Sequence, residues 1–389
     1  MKILVATQFH VPHGGGLSSH VEDLVSCLIN AGHETELLEG SSAEIASWYK
    51  LLSFLLSYGS KDAYLHRRLE IHLCRLTKHI ERLLINNSFD IIHCHDAAAG
   101  YATHLALYKT KQQIPVIETI HGPLAYEASM DLGKEIKDYR YLERLFAIEK
   151  EAFEKADHLI AVDTGQGNIA INDFGIDKEK ISVIFNSVSS NAIDEIIKER
   201  PSIEIPKPYL LVPRRLVEKN GVRIAIESLA EFEGPDKINL AIAGNGPLRD
   251  DLESLTEKSG FGSQVFFLGS IARDEVLRLA NEALAVVIPS IPSCGVIEAT
   301  SIAAIEAMAC GTTVIASNIG GLTELIEDNK TGFLVPHSSP QELANIIQLI
   351  LEDKELNARV SSQGRKNVLE NLDTPIWFKK VERIYEAVL

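Results

Sequence analysis

Short apolar segments alternate with longer amphipathic segments along most of the chain. The apolar segments are rich in Val, Ile, Leu and Ala, and they lie at residues 2–7, 90–94, 116–120, 156–162, 181–185, 209–212, 240–243, 265–268, 284–288 and 312–316. Continuous apolar runs of this length are typical of strands buried in parallel sheets. Because helical patterns separate them, the chain is predicted to have an α/β fold built on parallel sheets.

A charged segment with three prolines divides this pattern into two blocks of similar size. It covers residues 198–208 (KERPSIEIPKP), and its composition is typical of a linker. We therefore predict two Rossmann-like, doubly wound domains that face each other across a cleft, at residues 1–200 and 201–375. A terminal helix is predicted at residues 376–389.

Residues 289–321 carry the most informative chemistry. Glu298 precedes a short apolar helix, IAAIEAMA, and Glu306 lies inside it, eight positions further on. Eight helical steps span about 12 Å, which is comparable to a sugar joined to a diphosphate. Carboxylates accept hydrogen bonds from sugar hydroxyls, and a helix start capped by Thr300 or Ser301 offers N–H groups to phosphate. The alternative is a pair of surface glutamates, but Glu306 interrupts an otherwise apolar helix.

The same stretch resembles the signature of the retaining glycosyltransferases of family 4, which have the GT-B fold. The resemblance lies in two glutamates separated by seven residues, followed by AMACGTTVIAS and a Gly-Gly pair. Further matches are the segments TIHG, ADHLIAV, GNGP, FLGSI and GFLVP. At the first glutamate the family usually reads Glu-x-Phe-Gly, whereas this chain has Glu298-Ala299-Thr300-Ser301.

The resemblance implies transfer of a sugar, with retention, from a UDP- or GDP-type nucleotide sugar to an acceptor hydroxyl. Glu306 would hold the ribose, Glu298 the donor sugar, and His121 would lie near the sugar and the acceptor. The first domain would face the acceptor and the second would bind the donor, with the terminal helix returning to the first domain. The other residues implied in donor binding are Gly15, Gly16, Arg215, Gly246, Ile271, Thr300, Ser301 and Ile302.

Two basic residues follow the strand predicted at 209–212. Arg214 and Lys219 are five positions apart, which is the family's spacing for the arginine and lysine that hold the departing diphosphate. Arg215 is an alternative, because it forms the Arg-Leu dipeptide of the family and Asn220 stands between Lys219 and the following glycine. Since these cations can replace a divalent ion and the cleft motifs contain no Asp-x-Asp, we predict no metal and no cofactor besides the donor.

Two other patterns are weaker. Residues 93–96 read His-Cys-His-Asp, but alternation along a strand puts the histidines and the cysteine on opposite faces, and no second ligand cluster is adjacent. The glycines at 14–16 do not form the dinucleotide pattern G-x-G-x-x-G, because position 19 is Ser. We predict neither a metal site nor a dinucleotide site from them.

Composition narrows the partners. The chain has 389 residues and a net charge of −16, which argues against nucleic acid and against attraction to anionic lipid. It shows no apolar run of membrane-spanning length, and MKILVAT enters a strand directly, which predicts no leader peptide. Five scattered cysteines favour reduced thiols and the cytoplasm. The acceptor is left open among small molecules, saccharides and lipid-linked molecules, and the oligomeric state is not indicated.

The spacing of apolar residues over positions 44–85 predicts an amphipathic helical segment. Trp48 and the leucines after it could contact a membrane surface or an acceptor, but packing against the sheet is favoured. Two other functions stay open for the chain as a whole: a nucleotide-sugar epimerase of the same fold, and a non-catalytic nucleotide-sugar-binding subunit.

Overall fold

The computed structural model describes residues 1–11, 16–40, 60–232, 237–293 and 296–389. These residues form two compact units, residues 1–185 with 378–389 and residues 186–377. Each unit contains one six-stranded parallel sheet flanked by helices. The prediction of an α/β fold with two Rossmann-like domains is confirmed.

The first sheet has the strand order β2-β1-β3-β4-β5-β6. Its strands are β1 Lys2–Ala6, β2 Glu34–Leu38, β3 Ile91–Cys94, β4 Val116–Ile120, β5 His158–Ala161 and β6 Ile181–Val183. The four inner strands are largely buried, as their apolar sequences predict, whereas the edge strands β2 and β6 are partly exposed, and β2 was not predicted. The order reverses between β1 and β3, which pair directly although β2 lies between them in sequence.

The second sheet has the order β12-β11-β10-β7-β8-β9. Its strands are β7 Tyr209–Val212, β8 Asn239–Ala243, β9 Val265–Gly269, β10 Ala285–Ile288, β11 Val314–Ser317 and β12 Phe333–Val335. Here the order reverses between β7 and β10. Ligands of open α/β sheets bind beyond the carboxyl ends of the strands at such a reversal. A ligand site is therefore expected at the turns after β7 and β10.

Helices cover the sheets of both units. In the first unit they are α1 Gly16–Asn30, α2 Lys61–Asn86, α3 Ala97–Thr110, α4 Leu124–Leu132, α5 Arg140–Lys155 and α6 Thr164–Asn172. In the second they are α7 Ser190–Ile196, α8 Val222–Glu231, α9 Arg249–Lys258, α10 Arg273–Glu282, α11 Ile302–Ala309, α12 Leu322–Leu325, α13 Pro340–Glu352 and α14 Lys354–Asn367. The last helix, α15, covers Thr374–Val388.

The units divide after Phe185, earlier than the predicted boundary at residue 200. The predicted linker packs against the second unit instead of standing apart. Ser202 Oγ and the Ile203 N–H both donate to Glu275 Oε1, at 2.9 and 2.8 Å. Prolines and charge mark an irregular segment, but they do not reveal that its polar groups are bonded to a neighbouring helix.

Helix α15 carries the chain back to the first unit, to which residues 378–389 belong. Its Tyr385 is fully buried, and the hydroxyl is 2.7 Å from His93 Nδ1. A ring and a hydroxyl that are 292 positions apart in sequence therefore form one buried pair in the first unit.

The amphipathic segment predicted at 44–85 is described from residue 60 onward. Helix α2 buries Leu69, Leu73, Leu76 and Ile80 among the other core residues of the first unit. This supports packing against the protein for that part, while Trp48 and its neighbouring leucines lie outside the described residues. Among the helices that the structure describes, none is both long enough and apolar enough to cross a membrane.

Candidate functional site

The reversal point of the second sheet brings together residues that are far apart in sequence. The turn after β7 carries Arg214 and Lys219, and the loop after β10 carries Ser290 and Glu298. Parallel strands end at the same edge, so two neighbouring strands deliver both loops to one place.

Arg214 and Glu298 form the centre of this cluster. The guanidinium bonds both carboxylate oxygens, with Nη1 2.9 Å from Oε1 and Nη2 2.7 Å from Oε2. Nη2 also lies 2.6 Å from Asn220 Oδ1 and 3.0 Å from Ser290 Oγ, and Nη1 lies 3.3 Å from Ser301 Oγ. Both side chains are almost buried, at 10% and 12% exposure. Two parallel N–H···O bonds fix an arginine far better than a single contact does.

The cluster keeps Glu298 ionised. Burial alone would raise the pKa of Glu298, but the charges of Arg214 and Lys219, with hydrogen bonds from Arg214 and Ser290, hold that pKa below its usual value. Two cations therefore face one carboxylate. The cluster carries one net positive charge, which suits it to an anionic ligand.

The two candidate arginines point differently. Arg214 faces Glu298, whereas Arg215 is exposed. Asn220, the residue that disturbs the family spacing, explains the arrangement: its Oδ1 accepts from Arg214, and its Nδ2 donates to the Arg215 carbonyl at 2.7 Å. Lys219 is held in the same turn, because its carbonyl accepts from the Ile291 N–H at 2.9 Å.

Gly221 allows this turn to approach the loop after β10. Its φ is +59°, and a Cβ atom there would lie 1.9 Å from the Pro289 carbonyl oxygen. Gly246 plays a similar part from the loop after β8, since its Cβ would lie 2.3 Å from the Leu216 carbonyl oxygen. Both glycines are thus required by backbone contacts beside the cluster.

Helix α11 begins at the edge of the cluster. Ser301 stands at the N-cap position but makes no side-chain cap bond, because its hydroxyl accepts from Arg214 instead. Thr300 is buried, and its Oγ1 accepts from Asn186 Nδ2 at 3.0 Å. The predicted side-chain cap is therefore wrong. The first N–H groups of α11, those of Ile302 and Ala303, precede its internal hydrogen bonds and are the groups a helix offers to an anion.

Glu306 lies further along α11 and has its own partner. Arg273 Nε is 2.5 Å from Glu306 Oε1, and the carboxyl is 13% exposed while the guanidinium is 40% exposed. Burial raises the pKa of Glu306 and Arg273 opposes that rise. Since Arg273 opens α10 two positions after Ile271, this ion pair brings the turn after β9 next to Glu306.

In the first unit, His121 follows β4 and meets two other histidines. His20 comes from α1 and His95 follows β3, and the candidate ligand atoms of the three rings all lie within 4.8 Å of one another. His95 Nδ1 is 3.3 Å from His121 Nε2. Burial holds the pKa values of His95 and His121 well below the usual value. Neutral imidazoles are the form that binds Zn²⁺, so the chemistry of this group fits a metal ion.

The rest of the His-Cys-His-Asp segment is structural. His93 Nε2 lies 2.8 Å from Thr119 Oγ1, opposite its contact with Tyr385, and burial lowers its pKa to about 3. Asp96 accepts from the Gln8 N–H at 2.7 Å and from the Ala99 N–H at 2.9 Å, and so joins β1 to the start of α3. Of the predicted residues in this unit, Gly16 opens α1 and Gly15 lies outside the described residues.

Comparison with known proteins identifies the fold family. Residues 14–191 match the family model described as Glycosyltransferase Family 4, and residues 194–367 match the model described as Glycosyl transferases group 1. This chain is a family 4 glycosyltransferase.

Relatives and solved structures that match this chain cover its full length. An uncharacterized glycosyltransferase of Methanocaldococcus jannaschii is 26% identical and covers 100% of this chain and 99% of its own. Sucrose-phosphate synthase of Thermosynechococcus elongatus superposes with a TM-score of 0.76 at 20% identity, covering 100% of this chain and 98% of its own. The Anabaena protein HepE, solved in complex with UDP-glucose, superposes with a TM-score of 0.73 at 19% identity, covering 100% of both chains. The GT-B fold predicted from the motifs is confirmed.

Several residues at the candidate sites of this glycosyltransferase were not predicted from the sequence. Asn220 and Ser290 hold Arg214, Arg273 holds Glu306, and His20 and His95 surround His121. Except for Asn220, which shares a turn with Arg214, each comes from a different segment than its partner, so spacing along the chain carries no signal of the contact. Asn220 stood out in the sequence as the extra residue between Lys219 and Gly221, and His95 as part of the His-Cys-His-Asp segment.

Proposed function

We propose that this glycosyltransferase moves a sugar from a nucleoside-diphosphate sugar to an acceptor hydroxyl, with retention at the anomeric carbon and without a metal ion at the diphosphate. The donor is of the UDP or GDP type. The complex of the similar HepE with UDP-glucose favours UDP. The acceptor is a small molecule, a saccharide or a lipid-linked molecule.

The Arg214–Glu298 pair with Lys219 is the observation that carries this proposal. It stands at the reversal point of the second sheet, carries net positive charge and lies beside the start of α11. A diphosphate placed there would meet Lys219, one edge of Arg214 and the first N–H groups of α11. These groups are fixed before the ligand arrives, so they stabilise developing charge without reorganising.

The donor's other parts follow from this placement. Glu306 would accept from the ribose hydroxyls after exchanging its bond with Arg273, and the turn at Ile271 would meet the base. Glu298, held by Arg214, would accept from hydroxyls of the donor sugar. Gly16, Gly246 and Arg215 would line the remaining donor surface.

Retention has two possible routes. Double displacement needs a carboxylate nucleophile beneath the anomeric carbon. Glu298 already uses both oxygens on Arg214, which leaves it poorly placed to attack. We therefore favour transfer on one face of the sugar, with the leaving phosphate oxygen accepting the proton of the acceptor hydroxyl and His121 orienting the reacting groups.

A nucleoside-diphosphate release assay tests the proposed function. Purified enzyme with UDP- or GDP-sugars and a panel of acceptors should release the diphosphate in an acceptor-dependent manner. Proton NMR of the glycoside should show the anomeric configuration of the donor. A product with inverted configuration would contradict retention.

The two other functions predict different products. An epimerase would yield a free epimerised sugar or nucleotide sugar and no glycoside. A non-catalytic subunit would bind the donor without turnover. We expect neither, because Arg214, Lys219, Glu298 and Glu306 are all present and the first three form one cluster. We also place the activity in the cytoplasm, where the four described cysteines, all without a disulfide, would stay reduced.

A further inference from the structure

Glu149 is a fully buried carboxylate on the apolar face of α5. Its neighbours on that face are core residues, Leu142, Leu145, Ala152 and Phe153. An unpaired carboxylate in such a place would be costly, so its partners decide what it does.

The partners are two backbone N–H groups at the start of α4. Glu149 Oε1 lies 2.6 Å from the Leu124 nitrogen, and Oε2 lies 2.9 Å from the Ala125 nitrogen. These are the first two residues of α4. The residue before them, Pro123, has no side chain that could cap the helix, and no cap bond is formed there. Glu149 thus performs from another helix the task that an N-cap residue usually performs.

This contact fixes one end of a short link that contains His121. The other end is Ile120, which is the last residue of β4 and pairs with Ala161 of β5. Only residues 121–123 lie between these two fixed points. Any shift of the first turn of α4 would therefore be passed to His121.

We propose that Glu149 is a positioning residue for His121, because its carboxylate fixes the first turn of α4 and so holds the 121–123 link. The inference rests on the proposed role of His121 in transfer. It assigns Glu149 no contact with substrate.

Titration of Glu149 gives the clamp a pH dependence. Burial raises the pKa of Glu149 to about 8, although the two N–H groups oppose the rise, and Glu127 of α4 adds to it. Glu118 of β4 and Tyr126 of α4 also interact electrostatically with this carboxyl. The ionised carboxylate has one acceptor oxygen for each N–H group. Protonation would place an O–H hydrogen against one of these donors, so only the ionised form accepts both hydrogen bonds. The clamp should therefore tighten as pH rises through about 8.

Two variants and one control test the proposal. Glu149→Gln keeps one acceptor oxygen, and Glu149→Met keeps the shape with none. We expect kcat to fall about 3- to 10-fold in Glu149→Gln and about 10- to 100-fold in Glu149→Met, with an unchanged donor KM, since small misplacements of reacting groups cost rates of this order. Glu143→Gln, an exposed glutamate of the same helix, should match the wild type.

The pH profile and hydrogen exchange separate positioning from mere stability. The wild-type kcat should rise with an inflection near pH 8 that is absent in Glu149→Gln. Peptides covering residues 121–132 should exchange faster in both variants, while peptides of the second unit should be unchanged. Faster exchange with normal kcat, or lower kcat with normal exchange, would overturn the proposal. If the wild type itself transfers no sugar, the proposed function fails, and exchange at residues 121–132 still decides whether the clamp exists.

Discussion

The two units use the same edge of similar sheets in opposite ways. In the second unit, charged groups meet there: Arg214 with Glu298, Lys219 beside them, and Arg273 with Glu306. In the first unit, the corresponding edge gathers three histidines, and burial lowers the pKa values of His95 and His121, which keeps these two rings neutral. Sheet topology alone therefore does not set the chemistry of an edge; the loops do. We therefore propose that the second unit binds the anionic part of the donor and that the first unit meets neutral, hydroxyl-bearing groups.

Replacing Lys219 should disturb this contrast most severely. Charge on the leaving diphosphate grows as the glycosidic bond breaks, so Lys219 should act mainly in the transition state. Lys219→Ala is expected to lower kcat by about 10²- to 10³-fold with a smaller rise in donor KM, as measured by steady-state kinetics. Lys219→Arg should recover only part of the rate, because a planar fork does not replace a compact ammonium. Near-normal kcat in Lys219→Ala would mean that the lysine plays no part in catalysis.

A second prediction concerns Glu306 and its partner. If Glu306 grips the ribose, Glu306→Ala should weaken donor binding by about 1–3 kcal/mol, the cost of leaving polar groups unpaired. Arg273→Ala frees the carboxylate and is the matched control. Calorimetry should show a smaller loss for Arg273→Ala than for Glu306→Ala. Equal losses would mean that donor binding depends on the Arg273–Glu306 ion pair and not on a contact between Glu306 and the ribose.

The neutral character of the first unit can be tested through Glu118. This carboxyl is fully buried, and burial first, then the charges of Asp96 and Glu149, raises its pKa well above the usual value. The unfolded chain therefore ionises Glu118 at a pH where the folded chain keeps it protonated, so its contribution to stability is lost as pH rises. Between the pKa of the unfolded chain and that of the folded chain, Glu118 lowers the free energy of unfolding by about 1 kcal/mol for each unit of pH increase.

Denaturant unfolding between pH 7 and 8.5 measures this effect above the range where the buried histidines titrate. Glu118→Gln should show a flatter decline of the unfolding free energy than the wild type, whatever its absolute stability. Glu143→Gln should keep the wild-type slope. An unchanged slope in Glu118→Gln would show that Glu118 is ionised in the folded protein.

The smallest expected effect is that of chelation. Transfer should survive EDTA, because Lys219 and Arg214 take the place of a divalent ion at the diphosphate. Activity lost to EDTA and restored by Mg²⁺ or Mn²⁺ would contradict that role. Bound zinc found by elemental analysis, and absent from His20→Ala, would instead place a metal on the three histidines of the first unit.

Sequence predicted the fold well because its signals are local. Apolar strands, helical spacing and the motif around Glu298 and Glu306 all lie within short windows, and the alternation of strands and helices recurs in each unit. The boundary after Phe185 and the packing of residues 198–208 depend on contacts across long separations, which composition does not record.

The candidate site divides in the same way. The family resemblance assigned Arg214, Lys219 and Glu298 to one donor site, but spacing along the chain did not distinguish Arg214 from Arg215. That distinction depends on Asn220, whose amide bonds both residues. The sequence did not indicate that His20, His95 and His121 meet, because each ring comes from a different segment. Glu149 left a faint signal, as a glutamate on an otherwise apolar helix face.

Calorimetric titration with UDP and GDP, in EDTA, tests the contrast between the units most directly. Neither nucleotide carries the transferable sugar or needs an acceptor, so binding reports only the proposed diphosphate, ribose and base contacts. We expect one of them to bind at one site per chain, with affinity reduced in Lys219→Ala and Glu306→Ala and unchanged in His121→Ala. Binding that survives both substitutions in the second unit, or that is lost in His121→Ala, would contradict the assignment of the anion site to the second unit.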